Sequence, residues 1–364
     1  MSTVNLEIIL DGDGHVQEDM EGIAKFMDPV YRDHGAVSGR GIFPPLDHLH
    51  GAHATSTPGA REREGARVGP EEWLSFAQEV GIEATVLYPT AGLAYGRIVN
   101  YDWAISTCRA YNDWLHETYL QRSPLFKGMA LIPMQEPSAA IEELERVVKE
   151  LGMCGAMLPS TGLPNHLGAR EYWSVYQAAE RLGCAIAVHG GCHMGLGMDH
   201  MNLYAPVNAL GHPFGQMISL SSMVFNGIFD RFPNIKVGFL EGGVAWFLTC
   251  LERLDRAHAT HTEYQVRQGD LLGPRSEESV ADYILKHVKA GRIFVGCEGG
   301  EPAMGYAVKA VGQEPWIYSS DFPHEPSIAM VKEEIGEVLE SEEITTQDKA
   351  AILSGNAARF YRLE

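Results

Sequence analysis

At 364 residues, with 45% hydrophobic and 21% charged side chains, the chain can bury a large core. It exceeds a minimal β/α barrel of roughly 250 residues by one long insertion rather than by a second large domain. Its 28 Lys and Arg against 48 Asp and Glu leave a formal charge of −20, a field that repels nucleic acid and anionic membrane surfaces and argues against both as partners.

Eight short apolar runs bounded by turn residues are predicted as strands, at 6–13 (LEIILDGD), 84–88, 128–133, 154–158, 184–189, 236–241, 293–297 and 316–320. Helices are predicted between them at 70–80, 101–121, 137–151, 170–182, 213–230, 244–262, 278–289 and 327–339, with a closing helix near 346–361. The helix at 70 opens on Pro70 followed by Glu71 and Glu72, residues that suit a first turn. Trp103, Trp114 and Trp246 fall on helices and are expected in packing. Eight alternating units predict a parallel sheet closed into a distorted (β/α)8 TIM-type barrel, a single domain over 1–364.

Two segments interrupt the alternation. Residues 19–69 follow the first strand and hold GRGIFPPLDHLHGAHATSTPGAREREGAR, too rich in Gly, Pro, His and charge for regular structure, which predicts a lid-like insertion. Residues 190–212 follow the fifth strand as a second long loop. Both leave C-terminal strand ends, so both are expected to border the mouth of the barrel.

The six cysteines form no C-x-x-C pair and several lie in apolar runs, which suits reduced, buried thiols in a cytoplasmic protein. MSTVNLEIIL lacks the basic region of a signal peptide, and no run of about 18 apolar residues offers a membrane span.

Metal-ligand side chains recur where the strands end: Asp13 and His15 in LEIILDGDGHVQE, His189 in CAIAVHGG, Glu241 in IKVGFLEGG and Asp321 in WIYSSDFPHEP. In a barrel these ends converge, and two His with two or three carboxylates can enclose one divalent cation. Asp13 and His15, two apart in an extended strand, share a face. Asp321 can touch both the metal and a metal-bound water, as a general base must. Glu18 lies close enough to Asp13 and His15 to join or support them, and Glu298, which ends the seventh strand, is a candidate to hold a ligand from behind. Arg40 and His50, with His48 and His53 beside it, are candidates for substrate contact from the insertion, as are His193 and His200 from the second loop.

In combination, DGDGHVQE, VHGG, HPFGQ, GIFDRFPNIKVGFLEGGVAW, LERLD and SSDFPH resemble the amidohydrolase superfamily over residues 5–360. Within it they resemble the amidohydrolase-related branch that includes aminocarboxymuconate semialdehyde decarboxylase. The resemblance implies one divalent metal, Zn, Mn or Fe, held by Asp13, His15, His189 and Asp321. It places His212 and His324 near the mouth as supporting or substrate-facing residues. The usual branch pattern opens on His-x-His or Glu-x-His, and Asp13 in its place makes the donor set harder, favouring Mn or Fe over Zn. Decarboxylases of the branch carry an acid/base histidine where this chain has Glu241. A carboxylate there disfavours both a substrate carboxylate and protonation of carbon.

The expectation is therefore a mononuclear metal-dependent hydrolase acting on a small cyclic or aromatic-derived substrate, with Asp321, Glu241 and His212 as the proton-handling residues. A non-oxidative decarboxylase is the alternative, and a catalytically silent binding barrel a third. A small-molecule substrate and a homodimer or higher homo-oligomer complete the expectation.

Overall fold

The computed structural model describes residue 6 and residues 8–33, 41–49, 67–261, 272–275, 277–324 and 326–363. Eight parallel strands lie side by side in sequence order: β1 (Ile9–His15), β2 (Ile82–Tyr88), β3 (Phe126–Leu131), β4 (Gly155–Pro159), β5 (Ala185–His189), β6 (Lys236–Leu240), β7 (Ile293–Cys297) and β8 (Trp316–Tyr318). Helices alternate with them, and the architecture is the predicted TIM-type barrel. Strands β4, β5 and β7 are buried at every position, as strands faced on both sides must be.

The main helices are α1 (Met20–Ala24), α2 (Pro29–Arg32), α3 (Pro70–Val80), α4 (Tyr101–Leu115), α5 (Pro137–Lys149), α6 (Trp173–Leu182) and α7 (Tyr204–Phe225). They continue with α8 (Ile228–Arg231), α9 (Ala245–His261), α10 (Val280–Lys289), α11 (Met304–Val311), α12 (Ile328–Glu340), α13 (Thr346–Ala350) and α14 (Asn356–Tyr361). Local chemistry sets their ends. In α3, Pro70 is at the first turn, Glu72 accepts from Gly69 N at 2.9 Å, and Gly81 terminates the helix at φ 90°. Ser279 and Ser327 cap α10 and α12 through the amides of Asp282 and Met330.

Closure of the barrel is local to the mouth. His15 N donates to Phe322 O at 2.7 Å and Asp321 N donates to Asp13 O at 3.1 Å. Gly12 permits the approach of β1 to β8: a Cβ there would lie 2.1 Å from Ile317 Cγ2.

Several expectations need correction. The first strand runs 9–15 rather than 6–13, so Asp13 and His15 lie inside it; His15 pairs with Tyr88, and the register slips between Asp11 and Gly14. The apolar run marked the strand's start, while its end is polar because those side chains converge with His189 and Asp321 at the mouth. The helix expected at 213–230 instead occupies Tyr204–Phe225 and Ile228–Arg231, with Pro213 inside the first of these. Pro213 reads as a helix start by propensity, yet tertiary packing carries α7 through it. The loop after β5 is accordingly 190–203, and His212 sits on a helix. Two short helices, α1 and α2, occupy part of the insertion, and α11 was not anticipated.

The described part of the insertion is fastened to the loop after β5: His193 N donates to Leu46 O at 2.9 Å, and His48 Nε2 to Met201 O at 2.7 Å. All six cysteines are free. No helix among the described residues is long and apolar enough to cross a membrane.

Candidate metal centre and active site

The C-terminal strand ends bring Asp13, His15, His189, Glu241 and Asp321 together. His15 Nε2 lies 3.6 Å from Asp13 Oδ1 and 3.4 Å from Asp321 Oδ1. His189 Nε2 lies 3.4 Å from Asp13 Oδ2 and 3.2 Å from Glu241 Oε2. Ligand atoms of Asp13, His15 and His189 fall within 4.8 Å of one another, as do those of His15, Asp321 and His324.

The ring orientations are set from behind. His15 Nδ1 meets Pro89 O at 2.8 Å and His189 Nδ1 meets Gly190 O at 2.7 Å. A carbonyl only accepts, so each Nδ1 carries the hydrogen, and in the neutral ring each Nε2 offers its lone pair to the centre. Burial, and after it the neighbouring imidazoles, hold His15 well below the ordinary histidine value, whereas burial raises Asp13.

Asp13 Oδ1, Asp13 Oδ2, His15 Nε2 and His189 Nε2 are all buried without a hydrogen-bond partner. Leaving four such atoms unsatisfied would cost on the order of 1–3 kcal/mol each. Two imidazole nitrogens and carboxylate oxygens aimed at one point are the donor set of a divalent cation, so the residues fit such an ion.

Glu241 and Asp321 both hold positive φ, 55° and 50°, immediately after β6 and close behind β8. For non-glycine residues that conformation costs on the order of 1–3 kcal/mol each, strain that is characteristic of functional turns. Glu241 Oε2 also lies 3.3 Å from His212 Nδ1, and Asp321 Oδ1 lies 2.7 Å from His324 Nδ1.

Several supporting residues escaped the sequence reading. Asp11 is fully buried and accepts from Ser320 N, Ser320 Oγ, Thr85 Oγ1 and Asp13 N; burial still pushes it up to about 6. Thr90 Oγ1 donates to Val16 O at 2.8 Å and meets His324 Nε2 at 2.8 Å. Gln216 Nε2 donates to Val188 O and Leu240 O, tying the ends of β5 and β6. Glu301 accepts from Val244 N at 2.6 Å and so braces the turn after Glu241. In the sequence, only the doubled Asp of DGDGH and the Ser pair of SSD hinted at the first of these.

The remaining predicted residues fall as follows. Glu18 stands apart from the cluster; its carboxylate accepts from the amides of Thr90, Ala91 and Gly92, fixing the loop that carries Pro89 O and Thr90. Glu298 is exposed, and its N donates to Glu301. His193 is buried, with Nδ1 3.6 Å from Asp47 Oδ2 and its ring 4.6 Å from that of His212. The His324 ring lies beside that of His15, tilted by 31°, with centroids 4.1 Å apart. His48 and His200 are exposed. Arg40, His50 and His53 lie outside the described residues.

A family model described as amidohydrolase matches residues 43–363. The chain is 27% identical over 262 residues to 2-amino-3-carboxymuconate-6-semialdehyde decarboxylase of Dictyostelium discoideum, covering 72% of this chain and 68% of the relative. It is 23% identical over 302 residues to gamma-resorcylate decarboxylase of Polaromonas sp. strain JS666, covering 80% and 86%. Among solved structures it resembles 5-carboxyvanillate decarboxylase of Novosphingobium aromaticivorans, complexed with manganese and 4-hydroxy-3-methoxy-5-nitrobenzoic acid, at a TM-score of 0.71 and 19% identity, over 98% and 96% of the two chains.

These relatives are carboxy-lyases, which overturns the expectation of a hydrolase and favours the decarboxylase alternative. The expectation rested on treating Glu241 as a bare anion facing substrate. In the structure its carboxylate lies 3.2 Å from His189 Nε2 and 3.3 Å from His212 Nδ1, so it faces two imidazoles and is not a bare anion turned to the substrate. Fold, strand-end ligand geometry and family match agree, and the chain belongs to the amidohydrolase family, in the branch of aminocarboxymuconate semialdehyde decarboxylase.

Proposed function

We propose that this chain is a metal-dependent, non-oxidative decarboxylase of a small aromatic-derived carboxylic acid. The observation that carries the proposal is the convergence of orphaned Asp13, His15 and His189 atoms in a chain whose relatives are decarboxylases. In this reading Asp13, His15, His189 and Asp321 hold one divalent ion. Manganese is the first candidate, because it is bound in the similar 5-carboxyvanillate decarboxylase and because two carboxylates make the donor set hard. When bound, the ion supplies positive charge that fixes the substrate carboxylate and steadies the electron density left as carbon dioxide departs.

The protein must supply a proton, since cleavage of the carbon–carboxylate bond leaves an electron pair on carbon. Thr90 spends its hydroxyl hydrogen on Val16 O, so it can only accept from His324, whose Nε2 therefore carries hydrogen. At 2.7 Å, His324 Nδ1 and Asp321 Oδ1 face each other with a proton between them. That pair is the proton store from which the vacated carbon is refilled, with Asp321 as the residue nearest the cluster. Glu241 orients His212 on the opposite wall, where the His193 ring lies 4.6 Å from that of His212 and is a candidate for substrate contact, a role for which Arg40 and His50 remain candidates from sequence alone.

The test is turnover of 2,6-dihydroxybenzoate, 5-carboxyvanillate and related acids by manganese-loaded protein in heavy water. One carbon dioxide per product, with deuterium at the vacated carbon, is expected. Solvent oxygen-18 in a non-exchangeable product position with no carbon dioxide would refute the proposal.

A further inference from the structure

A second cleft opens at the rim of the barrel, and none of its lining residues belongs to the metal cluster. It measures about 790 Å³, within the range of small-molecule sites, and lies among the segments that follow β2, β3, β4 and β5. Arg97, half-buried in its wall, directs Nη1 at two sulfur atoms, Cys192 Sγ at 3.8 Å and Met194 Sδ. Sulfur is a weak acceptor, and among the described residues Arg97 makes no ion pair with a carboxylate. In a chain that carries 20 more acidic than basic charges, a guanidinium left to sulfur contacts is unusual.

Gln135, 7% exposed, lines the same cleft. Its Nε2 donates to Tyr95 O at 2.9 Å and Ile98 O at 3.2 Å, and its Oε1 has no hydrogen-bond partner. The half-exposed ring of Tyr101 gives the cleft an aromatic wall. The sole acidic lining residue, Asp102, is exposed, where solvent screens its charge. A guanidinium lacking a carboxylate, an amide oxygen lacking a donor and an apolar ring face together specify an anion that carries a hydroxyl on a flat ring.

We propose that this cleft is a second binding site, separate from the metal centre, for a hydroxylated aromatic carboxylate, with Arg97 gripping the carboxylate and Gln135 Oε1 accepting from the hydroxyl. The site does not depend on which reaction the metal centre performs. Because Cys192 and Met194 belong to the loop that begins at His189, an occupant also rests against the segment that positions a ligand of the metal cluster.

The experiment is calorimetric titration of the full chain with 2-hydroxybenzoate, and with phenol as the probe lacking the carboxylate. It is run on wild-type, Arg97→Met and Arg97→Lys proteins whose melting temperatures are matched, and repeated after metal is stripped with a chelator. A 2-hydroxybenzoate site is expected that survives stripping and weakens roughly 10- to 100-fold in Arg97→Met, the range for a charge-assisted pair. Arg97→Lys should recover part of the loss, and phenol should bind at least about 10-fold more weakly. Binding indifferent to Arg97, binding that disappears with the metal, or phenol binding as tightly as the acid would each overturn the proposal.

Discussion

The two halves of the metal cluster are built differently. On the β1/β8 side, backbone bonds lock Asp13 and His15 to Asp321 and Phe322, and Asp11 beneath them accepts four hydrogen bonds. On the β5/β6 side, His189 ends a regular ladder opposite Leu240, but Glu241 and the loop and helix histidines meet through side chains alone. Those rings rest on bare backbone: a Cβ on Gly190 would lie 1.9 Å from His212 Nδ1, and one on Gly211 2.4 Å from His193 Cδ2. In the proposed function the first half, together with His189, is the cradle for the cation and, through Asp321 and His324, for the proton. The second is a wall of imidazoles and one carboxylate that can be re-cut for a substrate without disturbing the cradle.

The largest test of this division is Asp321→Asn, which should lower the rate of carbon dioxide release by roughly 100- to 10,000-fold, the range for a positioned proton-transfer group. Glu241→Gln should cost only about 10-fold and act mainly on KM; a loss equal to that of Asp321→Asn would erase the distinction between the halves. His189→Ala, on the second half yet part of the cation set, should reduce metal affinity by at least about 10- to 100-fold, read by elemental analysis. Full occupancy in that variant would remove His189 from the cation set.

Smaller effects probe the cradle from behind. Thr90→Val deletes the acceptor for His324 Nε2 and should lower kcat several-fold with KM little changed, while Thr90→Ser restores it. Loss confined to KM would place Thr90 with substrate binding instead. Asp11 is raised by burial to about 6 from its ordinary 3.8. Above the unfolded value the unfolded chain releases this proton while the folded chain keeps it, so the contribution is complete below about pH 4 and is lost as pH rises through about 6. In metal-free protein, the melting temperature of wild type minus that of Asp11→Asn should therefore fall across that window. A flat difference would mean that Asp11 is ionised throughout and is held by its four donors.

The barrel was legible in the sequence because each buried parallel strand is a short apolar run, and eight such runs alternate with helical patterns. The convergence of strand-end side chains was legible for a related reason: a carboxylate or imidazole closing a buried run, as at His189 and Asp321, is costly unless it has a partner. Glu241 shows where that logic fails. The residue type said that an anion stands at the site, but its effect on chemistry depends on the two imidazoles at 3.2 and 3.3 Å, and these come from β5 and α7.

Local pattern by itself therefore determined the barrel, its parallel sheet and the cluster of strand-end carboxylates and imidazoles, since hydrophobic period and abrupt polar endings are properties of neighbouring residues. Tertiary structure alone decided the rest. Asp11 lies under Ser320, Thr90 aligns His324, Glu18 anchors a loop rather than the cluster, and α7 runs through Pro213 to carry His212 to Glu241. Each of these depends on atoms from separate strands and loops meeting within hydrogen-bond distance, and distances of that kind are fixed by packing across the whole barrel rather than by any local run of sequence.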